Sequence, residues 1–364
     1  RSTLFPYTTL FRSEIGMAKK EIIYFDRNEN HYGSAPACFK SLTKPNFKKM
    51  SNYSRDFSRG VKSKLSERLA NDLQIEESRI LLGYGGEDIL KQAVHCYVSK
   101  GDKILIPTYS WWYYKAIADE VGGIKIEYPI EIQQDTFVYN VEEMIRIFEN
   151  EKPKLALISS PNNPTGNAIS KDDLIRFLDA SKDITVVIDE AYTLFADPDT
   201  SYLHDLVSAY PNLLIIRTFS KYYALAGVRV GYALMGTNHA RFNRFSARYL
   251  GYNRISERIA IAALDSPEYY EEMRQSMLAD LDMFFNEFNQ LKGFRAFRSL
   301  ANFILVEIPE EIKVPMKNYL VERGLIVKFM DEDNLTHHIR VSLGTPEENR
   351  LLMQTIKEFV ASRV

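Results

Sequence analysis

The chain has 364 residues, of which 45% are hydrophobic and 26% charged, a composition typical of a globular protein with a large core. Its net charge of −2, without a basic block, argues against nucleic acid or a membrane surface as a partner, so a small-molecule ligand is expected. Cys38 and Cys96 are too few for a disulfide framework and lack metal-ligand spacing, so we predict no metal site and a cytoplasmic location.

The first 16 residues are set apart from the fold. Residues 3–13 resemble the translation of a sequencing adapter, which makes residues 1–16 a non-native tail and Met17 the candidate start. A signal peptide is the alternative, but the segment lacks a continuous apolar core and a small-residue cleavage site. No stretch approaches the roughly 18 consecutive apolar residues of a membrane span.

Residues 17–50 are expected to form an N-terminal arm, with a short strand at Ile22 to Phe25 and a polar substrate loop after it. Over residues 51–255, helical periodicity alternates with short β-rich runs, which predicts a large α/β domain with a mostly parallel sheet. The predicted strands are RILLGYGG, DKILIPTYS, GIKIEYPI, KLALISS, TVVIDEAY, LLIIRTFSK and RVGYALMG.

Residues 256–364 predict a smaller α+β domain. A long helical stretch begins at Pro267 and is followed by the β-rich runs NFILVEI, GLIVKFM and HHIRVSLG. Thr345, Pro346 and Glu348 have the spacing of a capping box with proline at the first helical position, so a terminal helix is predicted to begin there.

Two residues at strand ends predict the central chemistry. Lys221 directly follows the strand LLIIRT, where a sheet edge can hold an amine for imine formation, although a lone lysine is usually a solvated surface residue. Asp189 ends the buried run TVVID, so its carboxylate needs a cationic partner, such as the protonated pyridine nitrogen of pyridoxal 5′-phosphate. Capping of a following helix is the alternative for Asp189, and taken alone it is the commoner role.

The same region supplies the other groups that this cofactor needs. Tyr192 and Asn163 can donate to its phenolic oxygen, although a core tyrosine and a turn asparagine before proline are the simpler alternatives. Tyr109 can stack on the ring or fill the aromatic core. Phosphate donors are available from a glycine pair, which also marks many ordinary turns, from two hydroxyls and from a guanidinium, namely Gly85, Gly86, Thr218, Ser220 and Arg229.

Four motifs in order, SPNNPTGN, VVIDEAY, TFSKYYALAGVRVGY and IRVSLGTPEEN, resemble those of the fold-type I aminotransferases, and most those of the histidinol-phosphate aminotransferase group. Arg229 follows Lys221 by eight residues and Tyr192 follows Asp189 by three, as in that family. The resemblance covers nearly everything after Asp26. It implies a large domain with a mostly parallel seven-stranded sheet between helices, a smaller α+β domain, and a homodimer with shared sites.

The resemblance also implies roles for individual residues. The implied catalytic residues are Lys221 as the Schiff-base lysine and proton shuttle, Asp189 and Tyr192. The implied cofactor-binding residues are these three with Gly85, Gly86, Glu87, Tyr109, Asn163, Thr218, Ser220, Arg229 and Tyr53, the last reaching the phosphate in the neighbouring subunit. The implied substrate-binding residues are Asn30, Tyr32, Asn163, Lys328 and Arg340, of which Arg340 clamps an anionic group.

Three departures from the family pattern leave the substrate open. His31 replaces a proline of the substrate loop, Tyr84 stands where asparagine is frequent, and Lys328 replaces an arginine, which gives a point charge instead of a planar fork. The expected activity is amino-group transfer between an amino acid or amino-alcohol phosphate and a 2-oxo acid. The alternatives are a decarboxylase of an amino-acid phosphate, an aromatic amino acid aminotransferase, and a non-catalytic cofactor-binding protein, which a full set of catalytic groups disfavours.

Overall fold

The computed structural model describes residues 22–43, 50–55, 60–332 and 334–363, so the predicted tail 1–16 lies outside the described residues. In these ranges no helix has the length and apolar character needed to cross a membrane. The strands are β1 (Ile23–Phe25), β2 (Ile80–Gly83), β3 (Lys103–Pro107), β4 (Ile124–Tyr128), β5 (Ile130–Gln133), β6 (Thr136–Tyr139), β7 (Leu155–Ser159), β8 (Thr185–Asp189), β9 (Leu213–Thr218), β10 (Gly231–Met235), β11 (Arg295–Ala296), β12 (Phe303–Glu307), β13 (Leu325–Phe329) and β14 (His338–Ser342).

Helices alternate with these strands along the chain, and short 3₁₀ turns lie between some of them. The helices are α1 (Pro36–Thr43), α2 (Lys64–Leu73), α3 (Gly86–Tyr97), α4 (Trp112–Glu120), α5 (Val141–Glu151), α6 (Lys171–Ala180), α7 (Thr193–Ala196), α8 (Tyr202–Ala209), α9 (Ala240–Phe245), α10 (Arg254–Leu264), α11 (Pro267–Asn289), α12 (Lys313–Glu322) and α13 (Pro346–Ala361).

The first sheet has seven strands in the order β2-β10-β9-β8-β7-β3-β4. Strand β10 runs antiparallel to β2 and β9, and the remaining neighbours pair in parallel. Its central strands are continuous buried apolar runs because helices cover both faces. The side chains of α3, α4 and α9 pack on one face and those of α2, α6 and α8 on the other. The predicted α/β fold with a mostly parallel seven-stranded sheet is therefore confirmed.

The second sheet has the order β1-β13-β14-β12-β11, and β1 of the N-terminal arm pairs in parallel with β13. Its three central strands are those predicted in the C-terminal region. Helix α10 crosses the predicted domain boundary at residue 255 and packs on α1 and α2, so the chain has no break at that point.

Local signals set several helix ends. Thr345 Oγ1 accepts the N–H of Glu348, whose carboxylate accepts the N–H of Thr345, so the predicted capping box at α13 is confirmed. Ser63 and Ser66 cap α2 in the same reciprocal way. Pro267 lies at the first turn of α11, where its missing N–H leaves no hydrogen bond unmade.

Candidate active site

Three neighbouring parallel strands, β7, β8 and β9, end at one edge of the first sheet. The carboxyl ends of parallel strands form the usual crevice for ligands in α/β folds. A cleft of about 510 Å³ opens at this edge. It is lined by Asp26, Arg27, Asn28, Gly86, Glu87, Ser110, Trp111, Trp112, Ser159, Asn163, Pro164, Asp189, Ala191, Tyr192, Thr218, Ser220, Lys221, Ala226, Arg229, Lys328, Met330, Glu332 and Arg340.

Lys221 projects into the cleft from the turn after β9. Its Nζ donates to the backbone oxygen of Asn28 at 3.1 Å and to that of Arg27 at 3.4 Å, and it lies 5.8 Å from the ring centre of Tyr192. These contacts hold the amine beside two neutral carbonyls, so no carboxylate in them locks it into an ion pair. The predicted imine lysine is thus available to a ligand in the cleft.

Asp189 reaches the cleft from the end of β8, as the sequence predicted. Its Oδ1 accepts the N–H of Ala191 at 3.1 Å, and its Oδ2 accepts the hydroxyl of Tyr114 at 2.9 Å. Burial raises the pKa of the Asp189 carboxyl, while the two donors partly oppose that rise. The alternative role as a helix cap is absent, because the N-cap residue of the short α7 is Tyr192.

Asn28 connects the N-terminal arm to the cleft. Its side-chain nitrogen donates to the hydroxyl of Tyr192 at 3.0 Å, and its side-chain oxygen accepts the hydroxyl of Ser342 at 2.9 Å. Because the Tyr192 oxygen already accepts a hydrogen bond from Asn28, its own proton is free to be donated into the cleft. This contact joins residues 164 positions apart in the chain.

Arg340 and Asn163 line the cleft and contact each other. Arg340 Nη1 donates to Asn163 Oδ1 at 2.6 Å, and Nη2 donates to the backbone oxygen of Asp26 at 2.7 Å. Its Nε is buried and has no hydrogen-bond partner among the described residues. Burial lowers the pKa of this guanidinium, which is the expected effect of desolvating a cation. An anion bound in the cleft would give the Arg340 guanidinium a charged partner.

The predicted phosphate donors cluster at the start of α3. Ser220 N–H donates to Thr218 Oγ1 at 3.1 Å, and Arg229 lies 3.6 Å from the carboxylate of Glu87. Gly85 has a φ of +92°, and a Cβ at this position would lie 2.7 Å from Nη2 of Arg229. The glycine is therefore required both by the backbone conformation and by the space that the guanidinium occupies.

Five predicted residues do not line the cleft, and one of them is Gly85, which lies against Arg229 as described above. Asn30 is buried and donates to the backbone oxygens of Lys221 and Tyr222, so it braces the lysine turn from behind. Tyr32 packs against the core, and its backbone N–H donates to the side-chain oxygen of Asn30. The ring of Tyr109 packs edge-on against Phe137.

Tyr53, the last of these residues, is 67% exposed, and its backbone oxygen accepts a hydrogen bond from Arg254. Its side chain is thus free to contact another molecule. Its role in the neighbouring subunit's site stays a prediction.

The remaining substrate candidate, Lys328, lines the cleft and pairs with Asp331 at 2.9 Å. Glu332 lies in the same wall. Positive and negative side chains thus lie close together around Lys328. Arg340, in contrast, contacts only neutral oxygens among the described residues.

Asn28, Trp111 and Trp112 line the cleft and Tyr114 contacts Asp189 from outside it, yet none of them was among the predicted site residues. Asn28 and Tyr114 gave no signal, because their contacts depend on distant segments meeting in the fold. Trp111 and Trp112 occur in the aromatic run PTYSWWYY, but only the start of α4 determines which rings face the cleft. Trp112 is 61% exposed there, whereas Tyr114 is buried.

The donor set fits pyridoxal 5′-phosphate. A carboxylate in a desolvated position requires a cation, and the described residues give Asp189 hydrogen-bond donors but no salt bridge. Tyr192, Lys221, Gly86 and Arg229 line the same cleft as that carboxylate. Each of these groups matches a different part of the cofactor.

Comparison with known proteins identifies relatives along nearly the whole chain. The family model described as aminotransferase class I and II matches residues 20–356. Histidinol-phosphate aminotransferase 1, chloroplastic, from Arabidopsis thaliana is 31% identical over 359 residues, which cover 98% of this chain and 82% of the relative. Histidinol-phosphate aminotransferase from Caldicellulosiruptor saccharolyticus is 29% identical, with 95% and 94% covered.

Solved structures share the fold. Histidinol-phosphate aminotransferase from Sinorhizobium meliloti in complex with pyridoxal 5′-phosphate has a TM-score of 0.83 at 23% identity, with 100% of both chains covered. L-threonine-O-3-phosphate decarboxylase from Porphyromonas gingivalis has a TM-score of 0.78 at 19% identity, with 93% of this chain and 100% of the other covered. At these identities the likeness concerns the fold alone.

Proposed function

Since the chain belongs to the class I and II aminotransferase family and its cofactor is pyridoxal 5′-phosphate, we propose that it moves an amino group from histidinol phosphate, or a similar amino donor with an anionic end, to a 2-oxo acid. The observation that carries this proposal is Arg340. Its guanidinium is desolvated, binds only neutral oxygens among the described residues, and keeps a buried Nε without a partner. A carboxylate or phosphate of the amino donor would give this guanidinium a charged hydrogen-bond partner.

Each cleft residue then has a defined action. Pyridoxal 5′-phosphate, when bound, supplies an aldehyde carbon that reacts with amines and a ring that accepts electron density. Lys221 Nζ is the amine that would hold the cofactor, and it would also carry the proton of the amino donor's α-carbon. Asp189 would keep the ring nitrogen protonated, and Tyr192 and Asn163 would donate to the phenolic oxygen.

The phosphate end of the cofactor lies at the start of α3 in this proposal. Gly86, Thr218, Ser220 and Arg229 line the cleft there, and Gly85 leaves room for the Arg229 guanidinium; their N–H groups, hydroxyls and guanidinium would bind the phosphate. Glu87, next to Arg229, would hold that guanidinium in place.

The amino donor is selected by four side chains that line the cleft, Arg340, Lys328, Trp111 and Trp112. Arg340 holds the anionic end, and Lys328 adds a point charge to it, partly neutralised by Asp331. Trp111 and Trp112 offer flat surfaces on which an imidazole or another aromatic ring can stack. Histidinol phosphate carries both groups, while an aromatic amino acid carries a carboxylate and a ring.

The active enzyme is proposed to be a homodimer in which the exposed Tyr53 reaches the phosphate in the neighbouring subunit's cleft. Cys38 and Cys96 are free and buried, which suits a reducing compartment and supports a cytoplasmic location.

The test is a half-reaction on purified holoenzyme. Histidinol phosphate, glutamate and aromatic amino acids are added one at a time, and loss of the absorbance of the bound cofactor is followed together with formation of the keto product. We expect histidinol phosphate and glutamate to react. Lys221→Ala should abolish both the characteristic absorbance and turnover.

Two outcomes would contradict the assignment of the donor. Release of carbon dioxide from an amino-acid phosphate without a keto product indicates a decarboxylase, and reaction with aromatic amino acids alone indicates an aromatic aminotransferase.

A further control uses Arg340→Gln, which should raise KM for anionic donors by about 100-fold. Arg350→Gln, at an exposed arginine paired with Glu347, should leave KM unchanged.

A further inference from the structure

We propose that Tyr114 is a positioning residue for Asp189, whose phenol keeps the carboxylate ionised and aimed into the cleft so that the ring nitrogen of the cofactor retains its proton. Tyr114 lies in α4, in the middle of an aromatic run, and it does not line the cleft itself. Its effect on the reaction would therefore pass entirely through Asp189.

The geometry fixes both oxygens of the carboxylate. Oδ2 accepts the Tyr114 hydroxyl at 2.9 Å, and Oδ1 accepts the N–H of Ala191 at 3.1 Å. The two donors come from different elements, since Tyr114 belongs to α4 and Ala191 follows β8. A carboxylate held by one donor on each oxygen has a fixed plane, and its remaining lone pairs are available to a group in the cleft.

Tyr114 can act only as a neutral donor here. Its side chain is 1% exposed, and burial together with the negative charge of Asp189 raises its pKa, so the phenol keeps its proton. A hydroxyl has a single proton to donate, and the contact at 2.9 Å directs it to Asp189 Oδ2.

The groups around Asp189 make the hydrogen bond from Tyr114 necessary. Burial and the neighbouring Glu190 both raise the pKa of the Asp189 carboxyl, whereas the Tyr114 hydroxyl, the Ala191 N–H and the charge of Lys221 lower it. When the cofactor is bound, the carboxylate and the ring nitrogen share one proton. A donor that stabilises the carboxylate anion leaves that proton on the ring, which makes the ring the stronger electron acceptor.

The chain offers a matched control for the loss of a buried phenol. Tyr128 is also fully buried, and its hydroxyl donates to the backbone oxygen of Leu157 at 2.9 Å. Tyr128→Phe removes the same atom from the same kind of environment but leaves Asp189 with both donors. Any effect confined to Tyr114→Phe is therefore an effect on the carboxylate.

The experiment compares the two phenylalanine variants with the wild-type holoenzyme, each loaded with cofactor labelled with ¹⁵N in the ring. The ¹⁵N chemical shift reports whether the ring nitrogen carries a proton. For Tyr114→Phe we expect the resonance to move toward the unprotonated position, and kcat to fall about tenfold with KM within twofold of wild type. Tyr128→Phe should keep the wild-type shift and kcat.

A wild-type ¹⁵N shift in Tyr114→Phe would overturn the proposal, and so would equal shifts in both variants. If Tyr114→Phe binds less cofactor, infrared spectroscopy of the apoprotein gives a second readout. The band of the protonated Asp189 carboxyl is identified by its loss in Asp189→Asn. This band should be stronger in Tyr114→Phe than in wild type. The proposal about Tyr114 depends on the identity of the cofactor and not on the identity of the amino donor. An enzyme that binds the cofactor but rejects every donor would refute the proposed function and still allow this comparison.

Discussion

Gly85 is the residue where the smallest change should have the most specific effect. Gly85→Ala places a Cβ 2.7 Å from Nη2 of Arg229 and also puts a side chain at a φ of +92°. The strained backbone alone costs about 1–2 kcal/mol of stability. Displacement of the guanidinium should in addition weaken cofactor binding about tenfold, since one charge-assisted hydrogen bond is lost.

Gly101 separates these two effects. It has a φ of +88° with no atom within 4 Å of an added Cβ, so Gly101→Ala carries the backbone strain without the clash. Melting temperatures of both variants should fall by similar amounts, and fluorescence titration should find weaker cofactor binding for Gly85→Ala alone. Equal cofactor affinities would remove Arg229 from the phosphate site.

At the same scale, Lys221 and Asp189 were predictable because each stands at the end of a strand whose apolar pattern is unmistakable. Asn28 and Tyr114 were not, since both act through side-chain contacts with residues far along the chain. The stacking of Tyr109 on the cofactor stays a prediction, and its ring makes an edge-on contact with Phe137. The run PTYSWWYY contains five aromatic rings, and the fold at the start of α4 decides which of them line the cleft.

At the scale of elements, the loop that carries Asn28 is tied to the N-terminus of α13. Nδ1 of His31 lies 2.7 Å from Glu348, and Nε2 lies 3.1 Å from the backbone oxygen of Tyr24. Both partners are acceptors, so only the doubly protonated ring satisfies both contacts. The hydrogen bond to Glu348 raises the pKa of His31 above 6.5, although burial opposes it, and the nearby Glu29 raises it further.

This pair predicts a pH-dependent stability. The contribution of His31 is complete below pH 6.5, the pKa of the unfolded chain, and is lost as the pH rises through the higher folded pKa. Glu348 has a lowered pKa, because the hydrogen bonds to it outweigh its burial, so its contribution is lost only as the pH falls below 4.5. Urea unfolding should show a loss of about 1–2 kcal/mol above pH 6.5 that His31→Gln abolishes.

His95→Gln is the control for that measurement. His95 also faces a carboxylate, at 3.1 Å from Glu120, but both side chains are more than a third exposed. Its substitution should leave the pH profile close to wild type. A profile of His31→Gln that matches wild type above pH 6.5 would exclude the loop contact as its source.

At the scale of the whole molecule, large apolar side chains lie exposed near Tyr53. Met50, Tyr249 and Leu250 are each at least 50% exposed, and Arg254 fixes the backbone of Tyr53. A surface of this kind is characteristic of a protein–protein interface, and it supports the proposed homodimer.

Shared sites predict complementation between two inactive variants. In a mixed dimer of Lys221→Ala and Tyr53→Ala, one cleft combines the intact lysine with the intact tyrosine and the other lacks both. Random association makes half of the dimers mixed, so co-expressed variants should recover about a quarter of wild-type activity. Light scattering checks the dimer, and absence of any recovery would show that Tyr53 does not act across the interface.

Strand β1 has a consequence for how the molecule is made. Ile23 pairs with Leu325 in the second sheet, and Asn28, three residues after β1, supplies the oxygen that holds Lys221. During synthesis on the ribosome, the seven-stranded sheet can form while β1 still has no neighbour. The lysine therefore gains its final position only after β13 has left the exit tunnel, which makes assembly of the cleft a late event in biosynthesis.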